Sequence, residues 1–128
     1  MPPEQLTEAQ MDDLLDATEG IIDGHLRSIT HFTEDSVEQI YLQDYLEANA
    51  DLESFATAER PGLDNRMDHR NTELGGYECS IRVFERGYLV SVVADGHGVF
   101  VTADKMELER FEELGEALRE TLEEIAVS

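Results

Sequence analysis

The fold is decided by residues 77–102, YECSIRVFERGYLVSVVADGHGVFVT, whose spacing of apolar and turn-forming residues predicts three consecutive β-strands. Over Tyr77–Phe84 apolar and polar residues alternate, which is the period of a half-buried strand. Tyr88–Ala94 is apolar on both faces, as expected of a strand covered from both sides. Asp95-Gly96 favours a tight hairpin, because both residues tolerate the positive φ of a type I′ turn. Val99–Thr102 then completes the third strand.

The segment that follows predicts a long amphipathic helix. Asp104 is a candidate N-cap, with Glu107 at the capping-box position. Apolar residues then recur at intervals of three and four, which places them on one face of a helix that should dock on the sheet. They are Leu108, Phe111, Leu114, Leu118, Leu122 and Ile125.

The N-terminal half predicts a helix, two strands and a second helix. Thr7 and Gln10 have the spacing of a capping box for a first helix that ends near Gly20 or Gly24. Leu26–Phe32 and Val37–Leu42 are rich in β-branched and aromatic residues and are separated by a turn. A second helix is predicted from Asp44 to about Arg60, where Pro61-Gly62 ends it. Residues 61–76 form a polar surface loop in this interpretation, and residues 1–128 form a single domain.

The element order α-β-β-α-β-β-β-α predicts an α/β (α+β) fold, with a central, mostly antiparallel five-stranded sheet and helices on its faces. This order resembles roadblock/longin-type domains over nearly the whole chain. The resemblance implies a non-enzymatic domain that forms homodimers through a helix and a sheet edge and that serves small GTPases or scaffolds. It also implies that the strand Tyr77–Phe84, with Tyr77, Cys79, Ile81 and Val83, is the edge that pairs.

The charge balance is extreme, with 30 acidic residues against 9 basic ones and a formal net charge of −21. Lys105 is the only lysine. Such a surface repels itself in dilute buffer, but molar salt reduces the Debye length to about 3 Å and screens the repulsion. The composition therefore predicts the cytosol of a halophile. An acidic mimic of nucleic acid is the alternative, although the charges are spread along the chain rather than concentrated in one block.

The same composition bears on partners and location. We predict no nucleic-acid partner, because binding phosphates requires a basic face. We also predict no membrane span and a cytoplasmic location, because the chain has no long apolar run and its start does not resemble a signal peptide. The stretch from Gly76-Tyr77 through Phe111-Glu112-Glu113-Leu114 resembles small acidic haloarchaeal proteins of unassigned function.

No arrangement of residues predicts a particular chemistry. The common phosphate-binding loops are missing from the sequence. His97 lies in a glycine-flanked hairpin, Cys79 falls on the apolar side of its strand, and the separation of His25 from His31 spans a helix–strand junction. We therefore predict no catalytic, cofactor-binding or metal-ligating residue and no cofactor.

Two functions remain open from the sequence. The first is a protein–protein interaction or regulatory module, which binds a protein partner or a second copy of itself. Arg60, Arg66 and Arg70, in a segment with a local excess of positive charge, could contact an acidic partner or a second protomer, although ordinary surface salt bridges would explain them equally. The alternative function is a small-molecule sensor or minor enzyme. It would use a pocket between sheet and helices, with polar groups such as His31, Tyr41 or His97.

Overall fold

The structure is a computed structural model that describes residues 6–22, 24–42, 52–59, 73–74, 79–94 and 96–126. It has the predicted element order. The helices are α1 (Glu8–Ile22), α2 (Leu52–Glu59) and α3 (Leu108–Ala126), and the strands are β1 (Leu26–Phe32), β2 (Val37–Leu42), β3 (Ser80–Val83), β4 (Gly87–Ala94) and β5 (His97–Asp104).

The five strands form one sheet in the order β2-β1-β5-β4-β3, and every neighbouring pair is antiparallel. The pairing of β1 with β5 joins the two halves of the chain, with Ile29 opposite Val101 and His31 opposite Val99. The strands β2 and β3 are the two edges of the sheet. The predicted fold class, an antiparallel five-stranded sheet with helices on its faces, is confirmed.

Each face of the sheet is covered by helices. On one face α1 and α3 bury the main core, whose fully buried members include Leu14, Ile22, Ile29, Val90, Val92, Val101, Phe111, Leu114, Leu118 and Leu122. On the other face α2 covers a smaller core formed by Phe32, Ala56, Leu89 and Phe100. The helices therefore lie where the alternation of the strands and the apolar stripe of α3 require them.

The helix cap and the turn predicted for the N-terminal half are present in the structure. The Gln10 backbone N–H donates to Thr7 Oγ1 over 3.2 Å, and the Thr7 N–H donates to Gln10 Oε1 over 2.9 Å, which is a reciprocal capping box. α1 continues through Gly20 and ends at Ile22. In the turn between β1 and β2, Thr33 Oγ1 accepts hydrogen bonds from the N–H groups of Asp35 and Ser36. This side-chain turn fixes the bounds of β1 and β2, which are those predicted.

The β4–β5 hairpin closes with Ala94 opposite His97, and Gly96 has a φ of +85°. That left-handed conformation is the one that the Asp95-Gly96 signal predicts, because glycine adopts it without steric penalty. Asp95 lies outside the described residues.

Several predicted boundaries in the C-terminal half are wrong, among them the starts of β4 and β5, which lie at Gly87 and His97. β5 extends to Asp104, whose N–H donates to the His25 carbonyl and whose carboxylate accepts a hydrogen bond from Arg27 over 3.1 Å. Asp104 is therefore a strand residue and not the cap of α3, which begins four residues later. Leu108, the first residue of the predicted apolar stripe, is 50% exposed.

β3 is also shorter than predicted, because Phe84 donates its N–H to the Gly87 carbonyl and so begins the turn to β4. α2 is described only from Leu52 to Glu59, so residues 44–51 and Arg60 of the predicted helix lie outside the described residues. In the predicted polar loop, Glu73 and Leu74 form a turn. Residues 61–72, 75 and 76 of this loop lie outside the described residues.

Candidate interaction surface at the edge strand

β3 is the edge strand that the sequence marks as an interface. Ile81 lies opposite Val90 of β4 and Val83 opposite Tyr88, and among the described strands β4 is the only neighbour of β3. An edge strand presents a row of backbone N–H and C=O groups that can pair with another chain. The geometry needed for strand addition is therefore present at β3.

Three residues of the predicted interface, Cys79, Ile81 and Val83, are among the described residues, and they differ in burial. Cys79 and Ile81 are half-buried and pack against the main core. A β-carbon on Gly115 of α3 would lie 2.6 Å from Cys79 Sγ, so glycine is needed there for the helix to approach the edge strand this closely. Val83 is different, since 65% of it is exposed. Of these three side chains, only Val83 is mainly exposed.

Phe84 enlarges the exposed apolar surface at the end of β3. It is 44% exposed, and its ring meets the ring of Phe55 on α2 edge-on, with centroids 5.8 Å apart. Val83 and Phe84 point to opposite faces of the sheet because they are consecutive in an extended chain. We name Val83 and Phe84 together the edge patch. Exposed apolar side chains thus lie on both faces of the sheet at the end of β3.

An ion pair attaches α2 to this edge. Arg82 Nε donates to Glu59 Oε1 over 2.6 Å, and the Glu59 side chain is only 7% exposed. Arg82 lies on the α2 face of β3, as expected from its position between Ile81 and Val83. Neither residue was predicted as part of a site, although a lone arginine on an alternating strand signals an acidic partner on that face.

We expect Arg82→Gln to lower the free energy of unfolding by about 1–2 kcal/mol, because it removes a charge-assisted hydrogen bond from a buried carboxylate while the arginine itself is half exposed. Denaturant unfolding in concentrated KCl measures the change. Arg110→Gln is the matched control, since Arg110 forms an exposed ion pair with Glu107 at 3.4 Å and donates a long, exposed hydrogen bond to the Ile21 carbonyl at 3.3 Å, so its loss should change stability by less than about 0.5 kcal/mol. Equal losses in the two variants would show that Arg82 does not anchor α2.

The remaining predicted interface residues are not placed. Tyr77, Arg60, Arg66 and Arg70 lie outside the described residues, so their contribution to an interface stays a prediction.

Two histidines meet on the face covered by α1 and α3, a contact that the sequence did not predict. His31 Nε2 lies 3.0 Å from His97 Nδ1, and the rings stack with centroids 5.2 Å apart. His31 is 1% exposed. Burial, and secondarily the neighbouring His97, lowers the pKa of His31 from 6.5 to about 4. His31 is thus a neutral member of a buried hydrogen bond at ordinary pH.

Neither a metal centre nor a membrane segment is found in the part of the chain that the structure describes. There, no group of three or more His, Cys, Asp or Glu residues is arranged to hold a metal ion. No described helix is long and apolar enough to cross a membrane.

A cavity lies on the opposite face of the sheet, beside α2, with Phe55, Phe84 and Phe100 in its wall. The alternative function placed His31, Tyr41 or His97 in a pocket. That placement is wrong for this cavity, because its wall contains none of these three residues. The reason is strand alternation: His31 lies on the opposite face of β1 from Thr30, which does line the cavity.

The architecture defines the chain as an α/β domain with a five-stranded antiparallel sheet between helices. A family profile described as "Domain of unknown function (DUF7522)" matches residues 12–123, and the chain belongs to that family. No curated protein sequence matches it.

Solved structures of MglB proteins share the fold. "Gliding protein-mglB" from Thermus thermophilus is 14% identical, with a TM-score of 0.66 over 99% of this chain and 98% of that one. A structure described as "MglB with tetrameric arrangement" is 15% identical, with a TM-score of 0.64 over 99% and 97%. Myxococcus xanthus MglB is 12% identical, with a TM-score of 0.59 over 94% and 95%. At these identities the similarity shows the fold alone.

Proposed function

We propose that this chain is a non-enzymatic interaction module of the roadblock type, which pairs with a second copy of itself through β3 in the cytosol of a halophile. The observation that carries the proposal is the edge patch, where Val83 is 65% and Phe84 44% exposed at the end of β3, the last described strand on that side of the sheet. Exposed apolar side chains at a sheet edge are a hazard in a monomer and a binding surface in a dimer.

β3 is a better candidate than β2, the other edge. The apolar side chains of β2 pack inward, with Val37 against the smaller core and Ile40 and Tyr41 against the main one. Every residue of β2 is partly buried. The exposed apolar surface at an edge therefore lies at β3.

Backbone pairing of so short a strand would not hold a dimer alone. β3 has four residues, and a specific interface usually buries about 1,200–2,000 Å². α2 is the element that can supply the rest, because Phe55 contacts Phe84 and Glu59 binds Arg82. The proposed interface therefore consists of the β3 edge, the edge patch and the neighbouring surface of α2.

The net charge makes the association dependent on salt. Two copies that each carry −21 repel each other in dilute buffer, and concentrated KCl screens this repulsion. The arginines predicted for the interface, Arg60, Arg66 and Arg70, would offset part of the repulsion if they lie near the two-fold axis. This supports a dimer that forms in the salt of a halophilic cytosol and weakens on dilution of the salt.

We expect Val83→Glu to raise the dissociation constant of the dimer by about 100-fold or more, because it places a carboxylate from each copy near the two-fold axis. Light scattering coupled to size exclusion in about 2–3 M KCl, where exposed charges are largely screened, measures the mass. Val83→Thr keeps a neutral β-branched side chain and should remain dimeric at high protein concentration.

Ala9→Glu is the control for charge, since it adds the same carboxylate to an exposed position on α1, which packs against β1 and β2 at the other side of the sheet. It should leave the mass unchanged. A wild-type protein that is strictly monomeric in high salt, or dissociation by Ala9→Glu equal to that by Val83→Glu, would contradict pairing through β3.

A further inference from the structure

The cavity beside α2 has a volume of about 220 Å³ and lies at the end of the sheet where β1 and β4 begin. Phe55, Phe84 and Phe100 form one side of it. The ring of Phe55 meets the other two edge-on, with centroid distances of 5.8 and 5.9 Å. Because Phe84 is 44% exposed, the aromatic wall reaches from the buried floor to solvent.

Two arginines line the same cavity, which is unusual for a chain with 9 basic residues against 30 acidic ones. Arg27 of β1 binds Asp104 through Nη1 at 3.1 Å. Arg86, in the turn between β3 and β4, is exposed and forms no ion pair with any residue in the described ranges. The register places both at one end of the sheet, since Asp104 lies opposite Gly87. An anion that is repelled elsewhere would meet positive charge here.

A buried hydroxyl on the cavity wall lacks a partner among the described residues. Thr30 is 0% exposed, and its Oγ1 makes no hydrogen bond there. The nearby Ser28 and Thr102 hydroxyls, which also line the cavity, bind each other. Valine would fill the space of Thr30 without an unsatisfied oxygen, so the hydroxyl is unfavourable in the protein alone. Because this oxygen has no accessible surface, a ligand in the cavity does not reach it, and Thr30 serves as a structural control.

We propose that this cavity binds a small aromatic monocarboxylate. The ring would lie against the phenylalanine wall, and the carboxylate would accept hydrogen bonds from the exposed Arg86. The volume decides the size class. A cavity of about 150 Å³ holds benzene, and typical pockets for drug-sized ligands span about 300–1,000 Å³, so this cavity suits one small ring system and is too small for a nucleotide.

The test uses three indole probes that differ in charge alone or nearly so: indole-3-acetate, the neutral alcohol tryptophol and the cation tryptamine. The chain has no tryptophan, so indole fluorescence reports the ligand without background from the protein. In one KCl buffer we expect indole-3-acetate to bind at least about tenfold more tightly than tryptophol, and tryptamine to bind most weakly. Absence of saturable binding, or equal binding of all three, would overturn the proposal.

Binding measurements on variants distinguish a specific binding site from an empty cavity that binds nothing specifically. Arg86→Gln should raise the dissociation constant of indole-3-acetate about tenfold and leave that of tryptophol unchanged. Arg110→Gln, which removes an exposed arginine from α3 on the opposite face, should alter neither constant. If both variants bound indole-3-acetate equally weakly, the affinity would depend only on the long-range charge of the protein. That result would refute a specific site.

Thr30→Val is the control for stability. It should raise the melting temperature of the free protein and leave the binding of indole-3-acetate unchanged, because the hydroxyl is not reached from the cavity. A loss of binding equal to that in Arg86→Gln would mean that affinity follows the packing of the wall and would refute the role of Arg86.

Phe84 belongs both to the edge patch and to the cavity wall, whereas Val83 is not among the residues that line the cavity. Binding should therefore persist in Val83→Glu, and this variant separates failure of the dimer from failure of the binding site.

Discussion

Replacing Phe111 by alanine should lower the free energy of unfolding by about 3–5 kcal/mol, the range for removing a buried phenylalanine. Phe111 is fully buried in the first turns of α3, and its ring lies edge-on to that of Tyr88 on β4, with centroids 4.4 Å apart. The variant loses the apolar burial and the aromatic contact, and it leaves a cavity between helix and sheet that the two elements can close only in part. Denaturant unfolding at constant KCl measures the loss.

Leu108→Ala is the matched control, because Leu108 lies three residues earlier on the same helix and is 50% exposed. Truncation there should change stability by less than about 0.5 kcal/mol. A small loss in Phe111→Ala, or similar losses in both variants, would contradict the docking of α3 through the face that carries Phe111.

The fold was predictable because its signals are local or periodic. The alternation in β3, the continuous apolar run of β4 and the stripe of α3 each determine an element from fewer than about twenty consecutive residues. The capping box at Thr7 and the hydroxyl-rich turn after β1 fix boundaries within three residues. The prediction failed at Asp104, where the deciding interactions are with His25 and Arg27, nearly eighty positions away in the chain.

The candidate sites were less predictable for the same reason. The edge position of β3 follows from the predicted order and its resemblance to roadblock domains, but the exposure of Val83 depends on where α3 ends its contact with the strand. The cavity combines Arg27, Phe55 and Arg86, which three different parts of the chain contribute. The pairing of His31 with His97 requires the β1–β5 register, which no single segment encodes.

Charge illustrates the limit of composition as a guide to function. The −21 net charge predicts an environment, but it makes any one carboxylate uninformative, because close acidic pairs arise by chance. The rare cations carry more information, since each is placed against a strong compositional bias. Arg82 binds the buried Glu59, and Arg86 stands at the mouth of the cavity. In a chain of this kind, the basic residues are the better guide to sites.

The stability of the protein should fall as the pH is lowered from about 6.5 to about 4, and His31 should account for about 3 kcal/mol of that fall. The pKa of His31 is about 4 in the folded protein and 6.5 as a model value. Because the folded-state pKa is the lower one, the unfolded chain binds the extra proton between these two values. Stability is therefore complete above pH 6.5, declines through this window and has no further dependence on His31 below pH 4.

The contribution of His31 is read from a difference between variants, because the measured pH dependence includes every group whose pKa differs between the folded and unfolded states. His31→Gln retains a polar side chain beside His97 and should flatten the pH dependence between about pH 4.5 and 6.5 relative to wild type, whatever its effect at neutral pH. His25→Gln replaces an exposed histidine and should keep the wild-type slope. Nuclear magnetic resonance of the imidazole protons gives an independent measurement, with His31 remaining neutral to about pH 4. A His31 that titrates near 6.5, or equal slopes in the wild type and His31→Gln, would show that the ring is hydrated in solution and that β1 and β5 do not enclose it as the structure indicates.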